Sequence, residues 1–380
     1  MKIEIAKTDL SDALNTVAPS LGSGNDLSAH VKFRVKPGTD EVEVLTYSGK
    51  IFGGAPLPCV LTISDGAPTS FTIEGKRLSQ WCGAVAEGDL ILEHEEGVTK
   101  ASDSRGFQRF ESLDPSVFPD WDTMIADSAG VFTIPAKRLC GILSHVKSFI
   151  STEETKTPQF CVTEVRKGIF HATDRTSATL VTVEEAEAKE SNLRIFGKNI
   201  NSLHSFLSTC GDVDVEVLEH DRISLFRTET GAFIGESRPT PEFPQMDLGK
   251  DAPDQHYWVL PKEEIENNML WLRSGAPHED VRLYFRPNDD QVEMGMKTAA
   301  GGDTFCPITC IERGSETDAP PVPDTGFAVN YKSLEKVFST HKSKTIRFGI
   351  NNAPSGTGGY VRFNESRNGD DYLSIILWVS

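Results

Sequence analysis

Residues 71–78 read FTIEGKRL and residues 132–139 read FTIPAKRL, six letters of eight in common across 61 residues. A chain that spells one opening twice is built on a period, and a period restricts the fold more than composition does. Related openings begin at residue 3 (IEIAKTDLSDALNTVAPS), 194 (RIFGKNINSLHSFLSTCG), 258 (WVLPKEEIENNMLWLRSG) and 327 (FAVNYKSLEKVFSTHKSK). Together they make six units, at intervals of 68, 61, 62, 64 and 69 residues.

Each unit opens with a few β-favouring residues, passes a capping or turn residue, and continues as an amphipathic helix. In the third, Leu139, Ile142, Leu143 and Val146 fall at i, i+3, i+4 and i+7, one helical face. Pro135 suits that helix's first turn, where a missing N–H has no intrahelical role. The stretches that follow, such as DVDVEVLEHDRISLFR, alternate apolar with polar residues and predict antiparallel strands. A longer period overlies this one: SVFPDWD at 116–122 resembles PEFPQMD at 241–247, and polar linkers follow both. The expected class is α+β, with three similar domains at 1–125, 126–253 and 254–380. Each would hold two helices and two small antiparallel sheets. Three such domains suit a curved or ring-forming array better than a single catalytic cleft.

The net charge of −18 argues against nucleic acid when taken alone. Its placement reverses that. The six helical segments (7–20, 76–86, 135–148, 197–209, 261–275 and 331–344) hold 13 Lys and Arg against 6 Asp and Glu, or +7. The remainder of the chain therefore carries −25. Helices that share one surface would attract phosphates while an acidic exterior repels them. The signal is uneven, since Asp9 and Asp12 sit in the first helix and Glu263, Glu264 and Glu266 in the fifth. A plainer account is that helices take lysine for propensity and solubility. Neither a cleavable leader nor an apolar run of about 20 residues is present, which predicts a soluble cytoplasmic protein. The seven scattered cysteines do not make a disulfide framework. Cys306 and Cys310 in CPITC lack a second pair at zinc spacing, so they read as strand residues.

The middle of the chain resembles a known family. FTIPAKRLCGILSHVKSFISTEET, GIFHATDRTSATLV and GESRPTPEFPQM are similar to the central domain of bacterial-type DNA sliding clamps, the β subunit of DNA polymerase III. The likeness is strongest over 131–247 and weak over 254–380. After Ala172-Thr173-Asp174 the family's Gly-His-Arg-Leu is replaced by Arg175-Thr176-Ser177-Ala178, and after Phe243-Pro244 its Asp-Tyr becomes Gln245-Met246. The carboxy-terminal SIILWVS also departs from the family's ending. Such divergence suits a clamp carried by a bacteriophage or another mobile replicon, working in its host's cytoplasm.

The resemblance implies a head-to-tail homodimer whose helices line a hole around duplex DNA. It would be a processivity factor with no catalytic residue, cofactor or metal. It would tether the polymerase and clamp loader through short apolar peptides. By that resemblance and by helical placement, Lys137, Lys198, Lys332 and Lys336 are expected to face DNA. Phe160, Thr173, Arg175, Pro244, Leu248, Ile376 and Trp378 would line the partner-peptide cleft between the second and third domains. Phe107 and Phe110 would meet Trp271 and Leu272 of another subunit. Two other readings stand beside it: a structural ring that does not bind DNA, and an enzyme. For the latter, His171, Asp174 and Ser177 lie close in sequence but match no nucleophile elbow, and SGTGG at 355–359 lacks the Lys-Ser/Thr of a phosphate loop.

Overall fold

The computed structural model describes residues 1–24, 26–64, 66–183, 191, 193–244, 252–275, 281–288, 291–297, 303–318, 326–352 and 358–379. Six times along it the chain runs strand, helix, strand, strand, strand, and the fifth element is the repeat's last strand; short extra strands, Val60–Thr62 and Glu312–Gly314, follow the first and fifth repeats. The helices of these repeats are α1 (Lys7–Val17), α2 (Gly75–Ala84), α4 (Ala136–Lys147), α5 (Ile200–Cys210), α6 (Lys262–Gly275) and α7 (Tyr331–Thr340). Each starts within two or three residues of the position expected from sequence. Their buried faces follow the helical period: Leu10, Ala13, Leu14 and Val17 in α1, Ile265, Met269 and Leu272 in α6. The apolar stripe of α4 has no exposed surface at Leu139, Ile142, Leu143 or Val146. Pro135 ends the preceding strand, one residue before α4, and does not enter its first turn.

One helix was not expected. TMIADSAG, read as linker, contains α3 (Asp122–Ala126), and the expected boundary at 125 falls inside it. Met124 and Ile125 pack with Trp121 on a cluster of Phe52, Leu218, Ile223 and Leu225, so the segment is held by core contacts.

The chain forms two compact units, Met1–Ser144 with Glu185–Thr240, and His145–Glu184 with Pro241–Ser380. In the first, a five-stranded sheet runs Val60–Thr62, Lys2–Ala6, Asp89–Glu95, Val98–Asp103, Gly106–Glu111. An eight-stranded sheet runs Ala129–Pro135, Asp214–Glu219, Ile223–Thr228, Phe233–Ser237, Ile51–Leu57, Val42–Tyr47, His30–Val35, Ser70–Glu74. Its centre joins the last strand of the fourth repeat to the last strand of the first, Phe233 opposite Gly54 and Gly235 opposite Phe52.

In the second unit, Val162–Arg166, Ile169–Thr173 and Ser177–Thr182 lead into Asp370–Val379, again a pairing of last strands, of the third and sixth repeats. Beyond it come Phe327–Asn330, Arg282–Asn288, Gln291–Lys297 and Asp303–Thr309. Asp370–Val379 also pairs with Gly359–Arg367, which continues to Thr345–Asn352, His256–Pro261 and Glu312–Gly314. Two last strands remain at sheet ends, Gly106–Glu111 of the second repeat and Asp303–Thr309 of the fifth.

The seam in the first unit is locked by aromatic rings lying on glycines. A Cβ at Gly235 would overlap the Phe52 ring, and one at Gly54 would overlap the Phe233 ring. The two contacts are reciprocal across one strand pair, and a register shifted by one residue in either direction would place the Phe52 ring opposite Ile234 or Glu236 in place of Gly235. Phe52 cannot easily move aside, because it stacks on Trp121 at 4.5 Å and 6°. Gly235→Ala should therefore cost about 1–3 kcal/mol, the usual range for overpacking. Urea denaturation measures it, and an unchanged midpoint would show that the seam accepts a methyl group.

Candidate functional site

The expected DNA-facing lysines fall in two kinds of surroundings. Lys137 is exposed in the first turn of α4 and pairs with equally exposed Asp212 at 2.7 Å. Such a surface pair is worth about 0–1 kcal/mol and yields readily to a stronger anion. Lys198 is exposed in the turn Gly197–Asn199 that opens α5, its ammonium 5.4 Å from the centre of the Phe196 ring. Lys50 lies 5.0 Å from the same ring. Sequence reasoning missed Lys50, because 148 residues separate it from Lys198 and only the seam brings the two together.

Beneath these lysines lies Glu236, a strand residue with no exposed surface. It accepts hydrogen bonds from the Phe196 amide at 3.1 Å and from the Asn199 side chain, and so ties down the turn that carries Lys198. Burial pushes its carboxyl up to about 8, against the opposing pull of those bonds and of the Lys198 and Lys50 charges.

Lys332 is exposed on α7. Lys336, one turn further on, differs from the other three: its side chain is half-buried and its ammonium is bonded to Asp174. Its charge is committed within the protein, and phosphate would have to displace a carboxylate to reach it.

That ion pair closes one side of a cleft of about 650 Å³ in the second unit. Its walls are the segment from Lys147 to Thr157 and the turn Asp174-Arg175-Thr176. The turn is tightly built. Asp174 Oδ1 accepts from the amide and hydroxyl of Thr176, both at 2.9 Å, and from those of Ser177 at 2.8 and 3.0 Å. Thr173 Oγ1 donates to the Ser177 carbonyl at 2.8 Å and accepts from the Arg175 amide at 3.1 Å. Burial raises the Asp174 carboxyl, but the bond and charge of Lys336 with the two amides outweigh it, leaving its pKa below the ordinary carboxylate value. Arg175 has φ +83°, a left-handed conformation that costs a non-glycine residue about 1–2 kcal/mol.

Of the residues expected to line a partner cleft, Arg175 lines this one. Thr173 is buried beneath it, Ile376 has no exposed surface, and Phe160 and Pro244 are half-buried elsewhere. As buried groups, Thr173 and Ile376 offer a ligand no surface. Trp378 lies opposite Val329 and Gly359 in its strand. Its side chain, Leu248, Gln245-Met246 and residues 355–357 of SGTGG lie outside the described residues. Lys147 and Asp174 were not singled out as ligand contacts, although the segment and motif containing them were.

The interface candidates divide likewise. Phe107 and Trp271 are 58% and 57% exposed, whereas Phe110 and Leu272 are buried in their own units. Phe110 packs edge-on against Trp81 at 6.4 Å under the Arg77 guanidinium, and cannot also meet a second subunit. The grouping that suggested an enzyme does not form a relay. Ser177 gives its hydroxyl hydrogen to Asp174, His171 faces Phe243, and burial lowers the His171 pKa to about 4.

Neither a protein-family model nor a curated protein sequence matches the chain. Solved structures do. The β subunit of DNA polymerase from Streptococcus pyogenes superposes with a TM-score of 0.79 at 13% identity, over 100% of both chains. The DNA polymerase sliding clamp of Bacillus subtilis gives 0.78 at 15%, and the DNA polymerase III β subunit of Thermotoga maritima 0.76 at 17%, each over 100% of this chain and 99% of the other. The chain has the sliding-clamp fold. Among the described residues no helix is long and apolar enough to cross a membrane.

Two outcomes follow from the electrostatics. A raised Glu236 contributes fully below its unfolded value near 4.5 and loses that contribution as pH climbs toward 8. Glu236→Gln should therefore narrow the stability difference between pH 5 and pH 8.5 in thermal melts; an unchanged difference would place an ionised carboxylate there. Asp174 has the opposite sign: its contribution is present above the unfolded value near 3.8 and is lost as pH falls through the lower folded value. Asp174→Asn should flatten the acid limb of the stability curve, and a limb identical to wild type would contradict the pairing with Lys336.

Proposed function

We propose that this chain is a DNA sliding clamp, a non-catalytic processivity factor. Two copies would close head to tail around duplex DNA and hold the polymerase and its loader through short peptides. The observation that carries the reading is the likeness to sliding clamps along the whole chain, at TM-scores of 0.76–0.79. The repeats support a division at 1–125, 126–253 and 254–380, two repeats to a domain.

Assembly follows from the strands at the sheet ends. The last strands of repeats one and four pair, as do those of three and six. Repeats two and five keep theirs open, and a second copy of the chain supplies the complementary edge for each. Phe107 on Gly106–Glu111 and Trp271 near the end of α6 are the exposed aromatic groups to be covered there. The helices would line the hole, with Lys198, Lys50, Lys137 and Lys332 making diffuse phosphate contacts and no base-specific ones, as sliding requires. The protein would work in the cytoplasm of a bacterial cell.

The test is topological. Dimers re-formed from diluted protein around a nicked circular plasmid should co-elute with it and be lost when the plasmid is cut. Replacing Lys198 and Lys332 by Glu should lower retention and reduce the salt slope by about one unit for each lysine. Equal retention on circular and linear DNA would refute the clamp reading and favour a ring that does not encircle DNA.

A further inference from the structure

We propose that Glu236 is a positioning residue that makes DNA binding proton-linked. It holds the Lys198 turn in either protonation state. As the neutral acid it puts no negative charge beneath Lys198 and Lys50, and once ionised it weakens their hold on phosphate. The inference rests on the clamp reading and adds a regulation to its phosphate contacts.

The geometry is that of a carboxyl sealed under a cationic turn. Glu236 has no exposed surface. It lies on Phe233–Ser237, opposite Ser224 on one neighbouring strand and Ile51 on the other, neither of them charged. Its oxygens meet the Phe196 amide at 3.1 Å and the Asn199 side chain, so both bonds run to the turn that opens α5. Among the described residues no cation pairs with it directly. Lys198 and Lys50 act on it through space. The elements around it also carry Arg194, buried on Leu193–Phe196, His204 on α5, and Arg227, which pairs with Glu216 at 2.7 Å.

Burial disfavours the charged form of a carboxyl that lacks an ion-pair partner, and Glu236 is pushed up to about 8. Neither hydrogen bond needs the charge. The Phe196 amide donates to both forms. The Asn199 amide donates to the carboxylate through Nδ2 or, turned over, accepts the acid's O–H through Oδ1. The turn is therefore held throughout, and what changes with pH is the charge under it. A carboxylate there offsets part of the potential that the two lysines offer to phosphate, and salt screens a buried charge poorly. DNA affinity is then highest with the acid form and falls as pH rises through about 8. By linkage, phosphate over the lysines favours the acid form, so DNA bound near that pH brings a proton with it.

The probe is a fluorescent DNA duplex of about 30 base pairs, titrated with the full chain at low salt and followed by anisotropy. From pH 7 to pH 9 the wild type should lose about 3-fold more affinity than Glu236→Gln, whose amide preserves the hydrogen bonds and cannot ionise. Histidines and the amino terminus titrate in both proteins and cancel in the comparison. Calorimetry at pH 8 in two buffers of different protonation enthalpy should show the wild type taking up a fraction of a proton per duplex, and Glu236→Gln less. A role confined to fold stability would alter the melting of Glu236→Gln but leave the two pH dependences equal, and that result would overturn the proposal. Wild-type binding at pH 8 without proton uptake would overturn it too, with no variant needed. Both outcomes leave the clamp reading intact. Failure of the wild type to bind the duplex at pH 7 would sink that reading and this inference together.

Discussion

An antiparallel strand has two edges, and every repeat of this chain ends in a strand whose outer edge needs cover. An open row of amides and carbonyls invites indiscriminate pairing. The chain solves this by joining last strand to last strand: Phe233–Ser237 to Ile51–Leu57, and Ser177–Thr182 to Asp370–Val379. In the first seam rings on glycines define the register, and similar rings recur within the second unit, Phe305 on Gly295 and Tyr257 on Gly314. Two last strands are left at sheet ends, Gly106–Glu111 and Asp303–Thr309; the second carries Pro307, whose missing N–H suits an edge strand.

Both candidate sites hang from these seams. Glu236, which secures the turn carrying Lys198, belongs to a seam strand and lies opposite Ile51. The turn that presents Arg175 leads directly into the other seam strand, with Ser177 opposite Ile376 and the Leu377 amide bonded to the Thr176 carbonyl at 3.2 Å. Strand pairing thus fixes where the functional groups stand.

Much of this was legible in the sequence. The six helices and the strands after them followed from apolar periodicity, because each repeat buries one face of each element. The burial of the four interface candidates was half legible. Leu272 continues the stripe of Ile265 and Met269 at i+7 and so had to be buried, while its neighbour Trp271, about 100° around the helix, had to be exposed. Phe107 and Phe110 are three apart in a strand and point to opposite faces, but only the packing of Phe110 against Trp81 says which is which. The bond from Lys336 to Asp174 spans 162 residues and leaves no local trace. The left-handed conformation of Arg175 was not read from the sequence, where an arginine gives no signal of positive φ.

The claim on which the account turns is that the last strands of the second and fifth repeats are completed by another copy of the chain. Sedimentation equilibrium at micromolar concentration tests it directly. The account predicts a single species of about twice 41.7 kDa that dissociates when Phe107 or Trp271 is replaced by Asp, since a charge buried without a partner costs several kcal/mol, roughly 3–5. A species of 41.7 kDa throughout that range would contradict it.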